Sequence, residues 1–236
     1  MRIDSFFYPL YLMDSAGAPK AYLGTCFPIA PGGSLLTCRH VVNISPQRGL
    51  RIGVYDFKTI IPVEGVRYPA DAKLDLAYLP NAFGTKKEEF FPLLSPGRVE
   101  IGTAVHSFGF YRHINTSRRC YLSGDVVEML EDDDEKYRRL LLPYAVIEGM
   151  SGSPVLVNRH GRKVAGICIG SEQRRIVASE TIHYRDAEEE CKETINRIVE
   201  FGVAYHCSVL IDFLKSVGEQ RAIISEQRVD IPGLNE

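Results

Sequence analysis

Apolar residues in this chain come in short runs: "FFYPLYLM", "AYLGTCFPIA", "GSLLTCRHVV", "LRIGVYDF", "TIIPVEGVRY" and "LDLAYLP", then "IGTAVHSFGF", "RCYLSGDVVEML", "YRRLLLPYAVI", "SPVLVN" and "KVAGICIG". Each spans about 5–10 residues and is separated from the next by Gly, Pro, Asn, Asp or Ser, the spacing of an antiparallel sandwich or barrel. The chain is therefore predicted to be mostly β. The polar, Pro-bearing stretch "TKKEEFFPLLSPGRVEIG" divides the runs into two groups of similar number. It reads as a linker over about 85–100, between a first lobe of about 6–84 and a second of about 101–206.

Helical spacing enters only late. In "DAEEECKETINRIVEF", residues 186–201, Asp186 is a candidate N-cap, acids fill the first turn, and Ala187, Cys191, Ile195 and Ile198 recur at helical steps. The pattern predicts an inserted helix near 186–201. A second helix is expected over about 208–217, opened by Ser208 and closed by Gly218, with a tail over 219–236.

With 236 residues, 45% of them hydrophobic, the chain is long enough for one large β domain or two lobes sharing a core. A net charge of −2 excludes the basic field that non-specific nucleic-acid binders use. Nor does any stretch approach the ~18 apolar residues of a membrane span. The start, "MRIDSFFYPLYLMDS", has an early acid at Asp4 and a break at Pro9, unlike a signal-peptide core. A cytoplasmic protein is expected, unless an export segment has been trimmed. The six cysteines, Cys26, Cys38, Cys120, Cys168, Cys191 and Cys207, have no C-x-x-C spacing and mostly sit in apolar runs. Buried reduced thiols are expected, with no disulfide framework, structural metal or cofactor.

One stretch breaks the strand pattern. In "IEGMSGSPVLV", residues 147–157, Gly149 and Gly152 flank Ser151. Such a turn can push one hydroxyl outward and aim neighbouring N–H groups at a common point, as an oxyanion hole requires. Taken alone it is equally a tight turn between strands. A nucleophilic serine needs an imidazole base, which in turn needs a carboxylate to fix its tautomer. His40 ends "SLLTCRH" and Asp75 stands between leucines in "LDLAYL". Each alone is also readable as an ordinary surface or strand-edge residue.

Together they fall in the order His, Asp, Ser of the chymotrypsin/trypsin-like serine proteases. "YLGTCFPIAPGGSLLTCRHVV" resembles the Gly-Thr-Gly-Phe strand and Thr-x-x-His-Val segment of the bacterial trypsin-like branch that includes the HtrA proteases. "LDLAYL" resembles their Asp-Leu-Ala-x-Leu, "GMSGSPVL" their Gly-Asn-Ser-Gly-Gly-Pro, and "KVAGICIG" with "FGVAYHCSVLIDFL" their closing strands and C-terminal helix. The resemblance covers about residues 6–216.

It implies two six-stranded antiparallel β-barrels and a serine endopeptidase acting on protein or peptide. Ser151 is then the nucleophile, His40 the base and Asp75 the orienting carboxylate. The N–H groups of Gly149 and Ser151 form the oxyanion hole. Ala145 is expected at the bottom of the substrate pocket and Ile169, Gly170 and Ser171 along its walls, a combination suited to a small or medium apolar side chain. Met150 occupies the place where digestive relatives carry an activating aspartate, so N-terminal cleavage is not the expected switch. Glu148 is expected at the pocket rim, more as a solvated acid than as a selector of basic residues. The segment 172–200 replaces a short loop of small relatives and is a candidate lid or docking element, while the acidic "EDDDEK" at 131–136 reads as a hairpin tip. The alternative is a protease-fold binding module without catalysis. A regulated effector, of the kind attached to bacterial stress and antiphage defence proteins and licensed by a partner, is the other variant.

Overall fold

Strand-forming runs and glycine-rich turns sort the chain into two antiparallel sheets. The structure, a computed structural model, describes residues 6–43, 51–83, 89–113, 116–131, 137–157, 163–186 and 189–219, and for 176–196 only the backbone path. The first sheet contains β1 (Tyr8–Met13), β2 (Pro19–Ala30), β3 (Ser34–Thr37), β4 (Arg51–Tyr55), β5 (Ile60–Pro62) and β6 (Ala77–Leu79), in spatial order β5-β4-β1-β2-β3-β6. A single helical turn, α1 (Arg39–Val42), follows β3.

The second sheet contains β7 (Ala104–His113), β8 (Thr116–Asp125), β9 (Glu128–Leu130), β10 (Arg139–Leu142), β11 (Pro154–Val157), β12 (Lys163–Asp186) and β13 (Glu189–His206), in order β8-β7-β11-β12-β13-β10-β9. It thus has seven strands where six were expected. The run "RCYLSGDVVEML" breaks at Val126 and Val127, whose N–H groups bond Thr103 and Leu141 across different neighbours. The chain thereby leaves β7 and adds a short edge strand beside β10.

The segment between the sheets is stitched to both. Phe91 N–H bonds Pro28 O on β2 at 3.0 Å, and Leu94 N–H bonds Val164 O on β12 at 2.9 Å. Phe91, Leu93 and Leu94 are buried, and one core cluster joins Phe27, Leu36 and Leu79 of the first sheet to Leu156, Val164 and Ile167 of the second. α2 (Cys207–Ser216) seats Leu210, Phe213 and Leu214 on that cluster. It starts at Cys207 because His206 serves as N-cap, its ring accepting from Ser208 N–H at 3.2 Å. No helix among the described residues is long and apolar enough to cross a membrane.

The predicted helix at 186–201 is not formed. β12 and β13 instead pair from Gly166 opposite His206 out to Asp186 opposite Glu189, making one long hairpin of segment 172–200. The four apolar residues at helical spacing form too narrow a stripe to secure a helix, whose stability comes mostly from a packed face. The β-branched residues Thr194, Ile195, Ile198 and Val199, facing a partner segment with Ile176, Val177, Thr181 and Ile182, favour strand. Because β13 is already paired through Val203–Tyr205 in the sheet, each further residue extends an existing ladder. The acidic tip at 132–136 and the tail from 220 onward lie outside the described residues.

Candidate active site

His40 is carried by α1, held down by the buried Val41 and Val42, so its ring stands on a fixed base at the end of β3. Asp75 precedes β6 between the buried Leu74 and Leu76. Its carboxylate accepts two bonds from one residue, from the His40 backbone N–H at 2.8 Å and from Nδ1 at 2.5 Å. Since the acceptor is a carboxylate, Nδ1 carries the proton, and in the neutral imidazole Nε2 is left with a lone pair. Asp75 N–H in turn donates to the Tyr205 hydroxyl at 3.3 Å, fixing the residue to β13. The His40 side chain is half exposed, open to an incoming substrate.

Ser151 sits in the glycine turn before β11. Gly149 and Gly152 have φ of +97° and +86°, where a side chain is strained. At Gly152 a Cβ would also lie 2.1 Å from Thr25 O. Each carbonyl from Glu148 to Ser151 is anchored. Arg112 N–H holds Glu148 O at 2.9 Å, Ser153 N–H holds Met150 O at 2.9 Å, and Thr25 N–H holds Ser151 O at 3.0 Å. Gly149 O receives the Tyr22 hydroxyl at 2.6 Å and that of Thr25 at 3.1 Å.

In a trans peptide the N–H points opposite to the preceding carbonyl, and no peptide here is cis. Anchoring Glu148 O and Met150 O therefore turns the N–H groups of Gly149 and Ser151 the other way. The N–H groups of Met150, Gly152 and Ser153 are spent on Ile147, Cys168 and Met150 carbonyls, whereas those of Gly149 and Ser151 have no acceptor among the described residues. Two such fixed, unspent donors can bind an oxyanion. Met150 itself is fully buried and packs into the second sheet's core with Val105, Val155 and Ala204, so an apolar plug anchors the turn.

The two halves meet across β2. A Cβ on Gly24 would lie 2.8 Å from both γ-carbons of Val41 and 3.1 Å from Ser151 O, so the turn of His40 and the turn of Ser151 flank one glycine. The Ser151 hydroxyl donates a long bond, 3.5 Å, to Ile169 O and none to His40. Rotation about its Cα–Cβ bond is needed to bring it to an acceptor on the imidazole.

Of the expected pocket residues, Ile169, Gly170 and Ser171 follow one another on β12. Ser171 Oγ bridges the strand to Val146, the chain neighbour of Ala145, accepting from its N–H at 2.8 Å and donating to its carbonyl at 3.3 Å. A Cβ on Gly170 would meet nothing within 4 Å, so the wall is open at that point. Glu148 is engaged by Arg112 at 2.7 Å on the exposed surface.

Sequence reasoning missed Tyr22, Thr25, Arg112 and Tyr205, which position the turn and the carboxylate. "YLGT" was visible as a motif, but nothing in it marks Tyr22 as a partner of a residue 127 positions away. The cysteines Cys26, Cys38, Cys168 and Cys207 are buried and Cys120 is partly exposed, none of the five being in a disulfide among the described residues. Burial holds the Cys38 thiol well above its ordinary value, with the Asp75 charge adding to it, and pushes Cys168 up to about 12. Both shifts favour the protonated thiol, which is the weaker nucleophile.

Residues 24–167, more than half of the chain, match the trypsin-like peptidase domain family. The chain belongs to that family of trypsin-like peptidase domains. Its fold is similar to that of the HtrA-type protease AlgW with decapeptide, at a TM-score of 0.61 and 14% identity over 91% of this chain and 65% of AlgW. A serine-to-alanine variant of AlgW with decapeptide matches at a TM-score of 0.59 and 15% identity, over 91% of this chain and 64% of the other. The chain thus spans slightly under two thirds of the length of these proteases. No curated protein matches it at the level of sequence.

Proposed function

We propose that this protein cleaves peptide bonds through His40, Asp75 and Ser151. Ser151 Oγ attacks the scissile carbonyl while His40 Nε2 takes its proton. Asp75 holds the Nδ1–H tautomer and stabilises the imidazolium, and the developing oxyanion is received by the N–H groups of Gly149 and Ser151. The observation that carries this reading is the 2.5 Å contact of His40 Nδ1 with Asp75, because it leaves Nε2 as a base. The two unspent donors beside Ser151 support it. His106 and His206 are engaged elsewhere, with Tyr121 at 2.6 Å and Ser208 at 2.8 Å.

Substrates are proteins or peptides with a small or medium apolar residue before the scissile bond, entering between Ala145 and the wall of Ile169, Gly170 and Ser171. AlgW carries a decapeptide in its solved structure, in keeping with an extended peptide as ligand. The engagement of Glu148 by Arg112 favours a surface role for that acid over selection of basic residues. A reducing, cytoplasmic setting suits the buried thiols, and a regulatory partner or sensor is part of the proposal.

Ser151→Ala should lower peptide hydrolysis by on the order of 10³-fold or more with folding intact, and His40→Ala should do the same. Fluorophosphonate should label the parent and not Ser151→Ala. Undiminished turnover in Ser151→Ala, or a requirement for His106 or His206 with His40 dispensable, sinks the assignment. Failure of the folded parent to label or turn over would leave the binding-module reading.

A further inference from the structure

Cys38 plays no part in that chemistry, yet it lies directly beneath it. Its Sγ, a nitrogen of the His40 ring and a carboxylate oxygen of Asp75 all lie within 4.8 Å of one another. We infer that Cys38, His40 and Asp75 form a binding site for a thiophilic divalent cation, zinc being the physiological one, whose occupation switches hydrolysis off. For its inhibitory consequence this rests on the proposed triad, whereas the binding itself does not.

The donor set is one soft sulfur, one borderline imidazole nitrogen and one oxygen, which suits zinc or cadmium and not magnesium or calcium. Zinc holds S, N and O ligands at about 2.0–2.3 Å in a tetrahedron, so ligand atoms end about 3.3–3.7 Å apart. From separations within 4.8 Å the sulfur has about 1 Å to close, while His40 Nδ1 and Asp75 Oδ2, now 2.5 Å apart, open by about as much. His40 and Asp75 have side chains 50% and 29% exposed, so both have room to make the adjustment.

The thiol can leave its present bond cheaply. It donates to Cys168 O at 3.2 Å, but that carbonyl also accepts Gly152 N–H at 2.9 Å and stays satisfied without it. On ligation the thiol proton goes to solvent. Thiolate and carboxylate then balance the two charges of the cation.

Inhibition follows from the nitrogen used. Nδ1 is the nitrogen beside the Asp75 carboxylate, at 2.5 Å, and a cation held by both takes its lone pair, so the ring's proton moves from Nδ1 to Nε2 and the ring stays neutral. An Nε2–H cannot accept the proton of Ser151. The same step removes the Nδ1 contact with Asp75, so both features that carry the proposed chemistry are lost together.

The test separates binding from turnover. Ser151→Ala protein is titrated with cadmium chloride, and the ultraviolet thiolate-to-cadmium band is compared with that of Ser151→Ala/Cys38→Ser. In parallel, zinc chloride is titrated into the parent and into Cys38→Ser during turnover of a small activated ester. The expected results are a saturable cadmium band lost with Cys38, zinc inhibition reversed by a chelator, and unchanged metal-free turnover in Cys38→Ser with about tenfold or more zinc needed for half-inhibition. Cys38→Ala, with one atom fewer to pack, replaces Cys38→Ser if the latter does not fold. An equal cadmium band without Cys38, no band at all, or equal zinc sensitivity in both proteins overturns the inference. A Cys38-dependent band in Ser151→Ala together with a folded parent that hydrolyses no ester refutes the triad and leaves the metal site standing.

Discussion

Tyr22, on β2 of the first sheet, gives its hydroxyl at 2.6 Å to the carbonyl of Gly149 in the turn of the second. The bond is buried at its tyrosine end, and burial raises the phenol far above its ordinary range, so it remains a donor at any pH the fold survives. Arg112 braces the same residue, its guanidinium donating to Tyr22 O at 3.0 Å. One side chain therefore couples the sheet that carries His40 to the peptide that aims Gly149 N–H. Removing one partner of a buried pair costs about 1–3 kcal/mol. Tyr22→Phe should accordingly reduce kcat by about 10- to 100-fold, with KM for a short peptide little changed and the fold retained. Equal kcat in the variant, by steady-state kinetics, would show that Thr25 alone holds the carbonyl.

Met150 presents a second lever on the same turn. It is fully buried against apolar neighbours of the second sheet, where an acid would find no cation among them. Met150→Asp should destabilise the protein by several kcal/mol, since an unpaired carboxylate there is desolvated without compensation. Met150→Leu, similar in volume, should cost less than about 1.5 kcal/mol. Chemical denaturation of the two variants checks both values. A stable, active Met150→Asp would instead mean that a buried cation can reach the turn.

Acid should act on the start of α2. His206 is fully buried, and burial, helped by the Arg138 cation and opposed by Glu131, lowers its pKa to about 4. In the unfolded chain the imidazole titrates near its ordinary value of about 6.5. Below that pH the unfolded chain takes a proton that folded His206 refuses, so stability falls between about pH 6.5 and 4 and levels off beneath. The loss reaches up to about 2 kcal/mol by pH 5. His206→Asn keeps an N-cap acceptor without an imidazole, so its urea midpoint should fall less than the parent's from pH 7.5 to 5. Parallel slopes would place the acid sensitivity in carboxylates.

How much of this was visible in the chain depended on distance along it. The strands announced themselves because their apolar runs are short and ended by turn residues, and the His40 and Ser151 segments because each breaks such a run. His40 and Asp75, 35 positions apart, could be paired only by resemblance; their 2.5 Å contact belongs to the fold. Tyr22 and Arg112 were not legible, since a strand tyrosine and a strand arginine look alike whether or not a carbonyl lies opposite. The segment at 186–201 misled for a related reason. Acids at its start and apolar residues at helical steps are local signals, while the ladder from Gly166 and His206 is supplied by tertiary pairing.

That ladder also shapes the last expectation. β12 carries Ile169, Gly170 and Ser171 and then continues outward, and β13 returns into the sheet through Phe201 and Val203. Past Arg174, whose guanidinium reaches Glu128 of β9 at 2.7 Å, a two-stranded ribbon beyond its sheet relies mainly on its own pairs. Segments of that kind open at low cost. A partner that straightens or bends the hairpin would be felt first at Ser171, whose hydroxyl ties β12 to Val146 beside Ala145. Replacing 174–199 by a tight turn should therefore alter cleavage of protein substrates, or the response to a partner, several-fold more than cleavage of a small activated ester. Ser171→Ala should imitate part of that effect by loosening the same wall. Equal losses on ester and protein, with a lowered melting temperature, would assign the hairpin to the folding core instead.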